Sequence, residues 1–192
     1  SQALISGGVL ENSLLVESYV DSVEEISSPR SAVALTGGTM INCLIVNNLG
    51  LYTAVPSWTA AVRCTSLGKV VNCVIYGNGG TAAAEWGNVN SNLFATCAVA
   101  ASAGEGFIGE GCIASVSDDC FKDFANGDYR LANNLAEGSA NPLVNAGCTK
   151  EAYFAYGGTS MTDLAGNKRC RGPQLDIGAY EKAARGFAIV LR

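Results

Sequence analysis

Short runs of alternating apolar and polar residues recur along the first hundred positions, and each run is centred on an asparagine. Asn12, Asn42 and Asn72 stand 30 residues apart, and three eight-residue segments align around them without gaps: 9–16, 39–46 and 69–76. A degenerate fourth copy occupies residues 88–94. Self-similarity at a fixed period is typical of repeat proteins, in which each repeat is one supersecondary unit. The spacing therefore predicts stacked units over the first part of the chain.

Each repeat combines short β-branched segments with turn residues. A further apolar segment precedes the later copies, at 32–35, 61–64 and 82–85, and a glycine follows each one. No ten-residue stretch has helical periodicity, so these segments are predicted to be strands. Strands this short cannot bury a face alone and must stack on their copies. Asparagine suits a corner because it tolerates left-handed backbone, and the three corner asparagines are expected to bond one another in a ladder.

One repeat also resembles a known family. Residues 36–48 join an Asn-Cys pair to alternating apolar residues and an Asn-Asn end. This string resembles a coil of the right-handed parallel β-helix proteins of the pectate-lyase-like superfamily. The resemblance implies an all-β fold, a right-handed parallel β-helix (single-stranded β-solenoid) of about five or six coils spanning residues 1–117.

The remaining residues, 118–192, differ in texture, since turn clusters alternate there with very short apolar segments. Three strings, 127–131, 162–169 and 176–181, resemble in this order the C-terminal region of bacterial cell-surface β-helix proteins with a choice-of-anchor Q domain. The match departs at residues 168–170, where the group often has a proline before the arginine. The resemblance implies export and a place at the bacterial cell surface, outer membrane-associated or extracellular, but no reaction. We expect this part to be a last coil and an irregular module that covers the open edge of the helix.

Composition excludes several function classes. The chain has 192 residues, a formal net charge of −5 and no histidine. An acidic chain without a Lys/Arg cluster is not expected to bind nucleic acid, and the absence of histidine excludes Ser-His-Asp and Cys-His triads. No apolar run reaches the length of a membrane span. Eight cysteines occur without a CxxC pair, which argues against zinc; they are either buried free thiols or, in an exported chain, disulfides.

The candidate catalytic residues are Asp118 and Asp119, the only adjacent aspartates. Glycoside hydrolysis needs two carboxylates at a set separation, which motivates the choice. Polygalacturonase-like members of the superfamily combine such a pair with Asn-Thr-Asp, Gly-His-Gly and Arg-Ile-Lys strings, and this chain has none of the three. The alternative is that the pair caps a helix or a turn.

The candidate ligand-binding residues lie in and beside insertions between the repeats. Tyr52, Trp58 and Trp86 are expected to stack on sugar rings, while Arg63 and Glu85 point outward from a strand. The alternative is that the aromatic rings cover apolar surface beneath the loops.

A calcium site is a further hypothesis for the C-terminal region. Asp163, Asn167 and Asp176 supply oxygen ligands, but their spacing matches no calcium loop, and the alternative is that they satisfy turn amides. No other cofactor is predicted.

We favour a non-catalytic bacterial surface or secreted module that displays loops for a carbohydrate, such as a polysaccharide or cell-surface glycan, or for a partner. One alternative is a polysaccharide lyase or glycoside hydrolase of the same superfamily. The other is a purely structural spacer.

Overall fold

The computed structural model describes residues 3–17, 19–20, 32–50, 59–65, 67–80, 84–88, 93–99, 104–106, 108–169 and 172–182. Within these ranges, fourteen strands precede residue 107. They are β1 Ala3–Glu11, β2 Leu14–Val16, β3 Tyr19–Val20, β4 Val33–Ile41, β5 Leu44–Val46, β6 Leu49–Gly50, β7 Thr59–Cys64, β8 Lys69–Val71, β9 Val74–Tyr76, β10 Gly79–Gly80, β11 Ala84–Asn88, β12 Phe94–Ala95, β13 Ala98–Val99 and β14 Gly104–Gly106.

Later elements are fewer and more varied. Two strands form a hairpin, β15 Phe121–Asp123 and β16 Asp128–Leu131. Two 3₁₀ helices, Asp118–Cys120 and Phe124–Asn126, flank β15, and one α-helix, α1, spans Lys150–Ala155. The N-cap residue of helix α1 is Thr149, whose side chain accepts a hydrogen bond from the amide of Ala152.

The strands before residue 107 pair in parallel and form three sheets. The largest has seven strands in the order β12-β8-β4-β7-β11-β14, with β1 also pairing with β4. A four-stranded sheet has the order β13-β9-β5-β2, and a three-stranded sheet the order β10-β6-β3. Leu14 pairs with Leu44, and Leu44 with Val74, so the 30-residue period of the sequence is the register of these strands.

The prediction of an all-β right-handed parallel β-helix of about five or six coils is wrong. The chain is mixed, with short helices beside parallel sheets that curl like a half-barrel. The largest sheet also branches at the nine-residue strand β4, which pairs with β1, β7 and β8. The physical reason is the length of β4. Its residues 33–35 pair with β7 and its residues 39–41 pair with β8, so one long strand pairs with two shorter ones.

The corner asparagines adopt the expected backbone but form only part of the expected ladder. Asn12, Asn42 and Asn72 have φ values of 50°, 53° and 53°, in the left-handed region. Asn72 Nδ2 donates to Asn42 Oδ1 at 2.7 Å. Between Asn42 and Asn12 there is no such bond in the described part of the chain, because Asn12 Oδ1 accepts from Arg169 and Asn42 Nδ2 stays without a partner. The ladder is therefore restricted to two of its three members.

The main core lies between the parallel sheets. It contains Met40, Ile45, Trp86 and Phe94 together with the fully buried cysteines Cys43, Cys73 and Cys97. The amide of Cys43 donates to Cys73 Sγ at 3.4 Å, so thiols also stack at the repeat spacing. The seven cysteines that the structure describes are free thiols, and Cys170 lies outside the described residues.

The C-terminal region packs along the side of the repeats, and its covering of an open edge stays a prediction. Phe121, Leu143 and Ile177 share one apolar cluster with Leu44 and Val74. Glu11, at the end of the first strand, accepts hydrogen bonds from the Tyr153 hydroxyl and the amides of Thr159 and Ser160. The reason is that the corners expose polar groups that need partners: the Cys148 amide donates to Asn72 Oδ1 at 3.1 Å.

The two predicted parts thus share a core, and the boundary at residue 117 stays a prediction. Within the described ranges, the structure contains no helix whose length and hydropathy would let it cross a membrane.

Candidate functional site

A polar cleft of about 400 Å³ opens in the C-terminal region. We call it the basic cleft. Its polar lining residues come from the β15–β16 hairpin and from three later loops. They are Lys122, Arg130, Asn133, Asn167, Glu181 and Lys182. Leu131 and Ala165 complete the lining. Such a volume lies at the lower end of the range for small-ligand sites.

The hairpin places two of the cations. Phe121 pairs with Leu131, and both side chains are buried in the core. Since successive side chains alternate between the faces of a strand, Lys122 and Arg130 point to the exposed side. The alternating burial of residues 129–131 thus places Arg130 on the surface, while the side chains on either side of it pack in the core.

Arg130 is held in place by a neighbouring carboxylate. Its Nε donates to Asp128 Oδ1 at 2.7 Å, and its Nη2 donates to Asp128 Oδ2, a bidentate arrangement. The guanidinium holds the pKa of Asp128 at about 2. Two of the five guanidinium N–H groups are used in this pair, which leaves others for a ligand.

Lys182 is fixed from both ends. Its backbone amide donates to Asp176 Oδ2, and its ammonium donates to the carbonyl of Asn133 at 2.9 Å. An ammonium has three donors, so two remain after this bond. The cleft therefore presents a positioned lysine beside the positioned arginine.

A buried ion pair lies under the cleft. Arg169 is fully buried, Glu181 is 7% exposed, and Arg169 Nη1 donates to Glu181 Oε1 at 3.0 Å. Burial, and secondarily the charge of Asp176, raise the pKa of Glu181 to about 7, and these effects outweigh the opposing effect of Arg169. Arg169 also donates to Asn12 Oδ1 and to the carbonyl of Ala179. The pair thus joins the C-terminal region to the first repeat.

The predicted calcium ligands belong to the same network but act as acceptors for amides. Asp163 accepts from the backbone amides of Ala165, Asn167 and Glu181 and from Asn167 Nδ2, at 2.6–2.9 Å. Asp176 accepts from the amide of Asn145 at 2.7 Å and from that of Lys182. Asp163 and Asn167 are therefore brought together by a turn, as in the alternative interpretation, although Asp163 is buried. Among the residues described, no group of three or more Cys, Asp or Glu side chains is arranged to hold a metal.

The candidate catalytic aspartates lie away from the lining of the cleft. Asp118 and Asp119 occupy the first turn of a 3₁₀ helix and are exposed, and Ser117 takes the capping position. Asp118 Oδ1 accepts from the Tyr76 hydroxyl at 3.0 Å. Their catalytic role stays a prediction.

The candidate ligand-binding residues that the structure describes lie on two paired strands, with Trp86 opposite Val62 and Gly87 opposite Arg63. Tyr52 and Trp58 lie outside the described residues, as does the side chain of Glu85 on β11. Arg63 is half-buried on β7. Trp86 is 1% exposed and packs 5.4 Å, centroid to centroid, from Phe94. A ring in the core is not accessible to a sugar, so the predicted binding role does not fit the position of Trp86.

Sequence reasoning missed the basic cleft. The C-terminal strings contain Arg130 and Glu181, but the cations of the cleft are spread over 60 positions of the chain, from Lys122 to Lys182. The available signal was three basic side chains among only 12 in an acidic chain. Without the tertiary fold, this signal does not show that the three side chains lie together.

Among the described cysteines, Cys112 combines a lowered pKa with partial exposure, whereas Cys43, whose pKa is also lowered by hydrogen bonding with Cys73, is fully buried. Cys112 is half-buried, its Sγ accepts from the amide of Cys97 at 3.3 Å, and hydrogen bonding with the Cys97 thiol lowers the pKa of Cys112 to about 7. Burial raises the pKa of Cys97 well above its usual value and that of Cys64 to about 12.

We therefore expect iodoacetamide to modify Cys112 before the other described cysteines at pH 7.5, because the thiolate is the nucleophile and needs access. Peptide mapping by mass spectrometry after short exposures measures the order. Faster labelling of Cys64 or Cys97 in the folded protein would contradict the expectation, and a Cys112→Ser variant provides the control.

Neither a family model, nor a curated protein, nor a solved structure matches this chain. The resemblances drawn from its repeats and C-terminal strings therefore stay predictions.

Proposed function

We propose that this chain is a non-catalytic binding module that presents the basic cleft to a carbohydrate or to a partner. The observation that supports the proposal is the composition of the cleft: donors line it, and the nearby carboxylates already have structural partners. Glu181 pairs with Arg169, while Asp163 and Asp176 accept backbone amides. Glycoside hydrolysis needs two carboxylates that face the substrate, and this lining offers one.

Placement of this module at a bacterial surface or in the extracellular medium is part of the same proposal. It is supported by the three C-terminal strings alone. Protease accessibility of the protein on intact cells of its source, compared with lysed cells, tests it; protection on intact cells would contradict it.

A glycosidase or lyase is the second candidate, because the pKa of Glu181, raised to about 7, suits a general acid. A glycan array combined with reducing-end and 235-nm unsaturation assays distinguishes the two functions. We expect binding without turnover. Turnover of any glycan would overturn the proposal. Its loss in Glu181→Gln would place the acid in the cleft, and its loss when the exposed Asp118→Asn and Asp119→Asn are combined would place it at the sequence-predicted pair.

A further inference from the structure

We infer that the basic cleft recognises an anionic saccharide, whose carboxylate or sulfate group is held by Lys122, Arg130 and Lys182. The inference rests on the proposed function and adds the class of ligand.

The charge around the basic cleft favours an anionic ligand. The cleft lining contains three cations and one carboxylate, whereas the whole chain has a net charge of −5. That carboxylate, Glu181, is buried against Arg169, and the acid beside Arg130, Asp128, is engaged by the guanidinium. Asp163 and Asp176 lie behind the lining, buried, with oxygens that accept amide N–H groups. The accessible groups are thus mainly donors with positive charge.

Two of the three cations are already oriented before a ligand binds. Asp128 orients the Arg130 guanidinium, and the Asn133 carbonyl orients the Lys182 ammonium. Ordering two long side chains before binding removes an entropic cost that a ligand would otherwise meet. A planar guanidinium matches the paired oxygens of a carboxylate or a sulfate, and a lysine adds a point charge.

The remaining lining residues suit a sugar. Asn133 and Asn167 contribute amides, which bond sugar hydroxyls, while Leu131 and Ala165 offer small apolar surface. A cleft of about 400 Å³ accommodates one or two sugar rings and not a folded partner. Cations and amides together in this volume favour a charged sugar over a bare inorganic anion.

The test uses three tetrasaccharide probes and titration calorimetry at 25 and 500 mM NaCl. A hyaluronan tetrasaccharide carries only carboxylates, a κ-carrageenan tetrasaccharide carries only sulfates, and cellotetraose is neutral. We expect at least one anionic probe to bind about tenfold more tightly than cellotetraose at low salt. We expect the difference to shrink at high salt, since exposed charges are screened. The anionic probe that binds shows whether the cleft recognises a carboxylate or a sulfate.

Single variants locate the binding. Lys122→Gln and Arg130→Gln are each expected to weaken binding of the anionic probe about threefold, as for exposed ion pairs. Lys150→Gln, an exposed lysine of α1 that does not line the cleft, is the matched control and should bind as the unaltered protein does. Circular dichroism checks that each variant folds.

The outcomes separate the inference from the proposed function. If cellotetraose binds as tightly as the anionic probes and Lys122→Gln has no effect, the inference is wrong and the binding function stands. If an anionic probe binds but Lys150→Gln weakens it as much as the cleft variants do, the cleft is not the site. If no probe binds in the assay and the glycan array is also blank, the carbohydrate form of the proposed function fails as well.

Discussion

Replacing Arg169 with methionine is expected to lower the free energy of unfolding by about 3–5 kcal/mol at pH 8. Arg169 is fully buried and donates to Glu181, to Asn12 and to the carbonyl of Ala179. Methionine retains most of the apolar volume but leaves the Glu181 carboxylate buried without its counter-charge, and that desolvated charge is the main cost. Urea denaturation followed by circular dichroism measures the change as a shift of the midpoint at constant slope.

Arg130→Met is the matched control for this experiment. Arg130 forms the other ion pair in the described part of the chain, but its side chain is 53% exposed. An exposed pair contributes about 0–1 kcal/mol, so this variant should unfold close to the unaltered protein. Equal effects of the two substitutions would contradict a structural role for the buried pair.

The pH dependence gives an independent readout. Because the pKa of Glu181 is raised to about 7 from 4.5, the folded protein binds this proton more tightly than the unfolded chain does. The contribution of Glu181 to the free energy of unfolding is therefore largest below about pH 4.5. It falls by up to about 3 kcal/mol as the pH rises through 7. Asp176, whose pKa burial also raises, acts in the same direction. In Arg169→Met the fall should be larger and extend to higher pH, since the cation that lowers the pKa of Glu181 is gone, and the variant should be least impaired near pH 5.

The repeat was predictable from sequence because its signal is local and of constant length. Asn12, Asn42 and Asn72 need left-handed backbone, and a 30-residue spacing between them sets the register of Leu14, Leu44 and Val74. The same reasoning failed where the chain departs from the repeat. Helix α1 has only six residues, too few to show a helical period, and is stabilised by the Thr149 cap.

The candidate site was less predictable because its contacts are distant in sequence. Lys182 donates to the carbonyl of Asn133, 49 residues earlier, and Arg169, the partner of Glu181, meets Asn12, 157 residues earlier. No periodicity encodes such pairs. Trp86 illustrates the same limit: a tryptophan beside a glycine turn suits a binding loop and a core equally well, and only the packing against Phe94 decides for the core.

Replacing Asn72 with alanine is expected to destabilise the protein by about 4 kcal/mol. The Asn72 side chain joins three segments: Nδ2 donates to Asn42 Oδ1 at 2.7 Å and to the Asp176 carbonyl at 2.9 Å, while Oδ1 accepts from the Cys148 amide. All of these groups are buried, so they cannot regain water when the side chain is removed. Gly147 shows how close the approach is, since a Cβ there would lie 1.9 Å from Asn72 Oδ1.

Two comparisons separate the hydrogen bonds of Asn72 from its backbone strain. Asn145 has a φ of 52° but an exposed side chain, so Asn145→Ala should cost only the left-handed conformation, about 1 kcal/mol. Asn72→Gly removes the side chain without that strain and should be more stable than Asn72→Ala by a similar amount. Chemical denaturation of the three variants measures both differences. If Asn72→Gly unfolds like the unaltered protein, the bonds between the repeats and the C-terminal region contribute nothing, and the strain alone explains the corner.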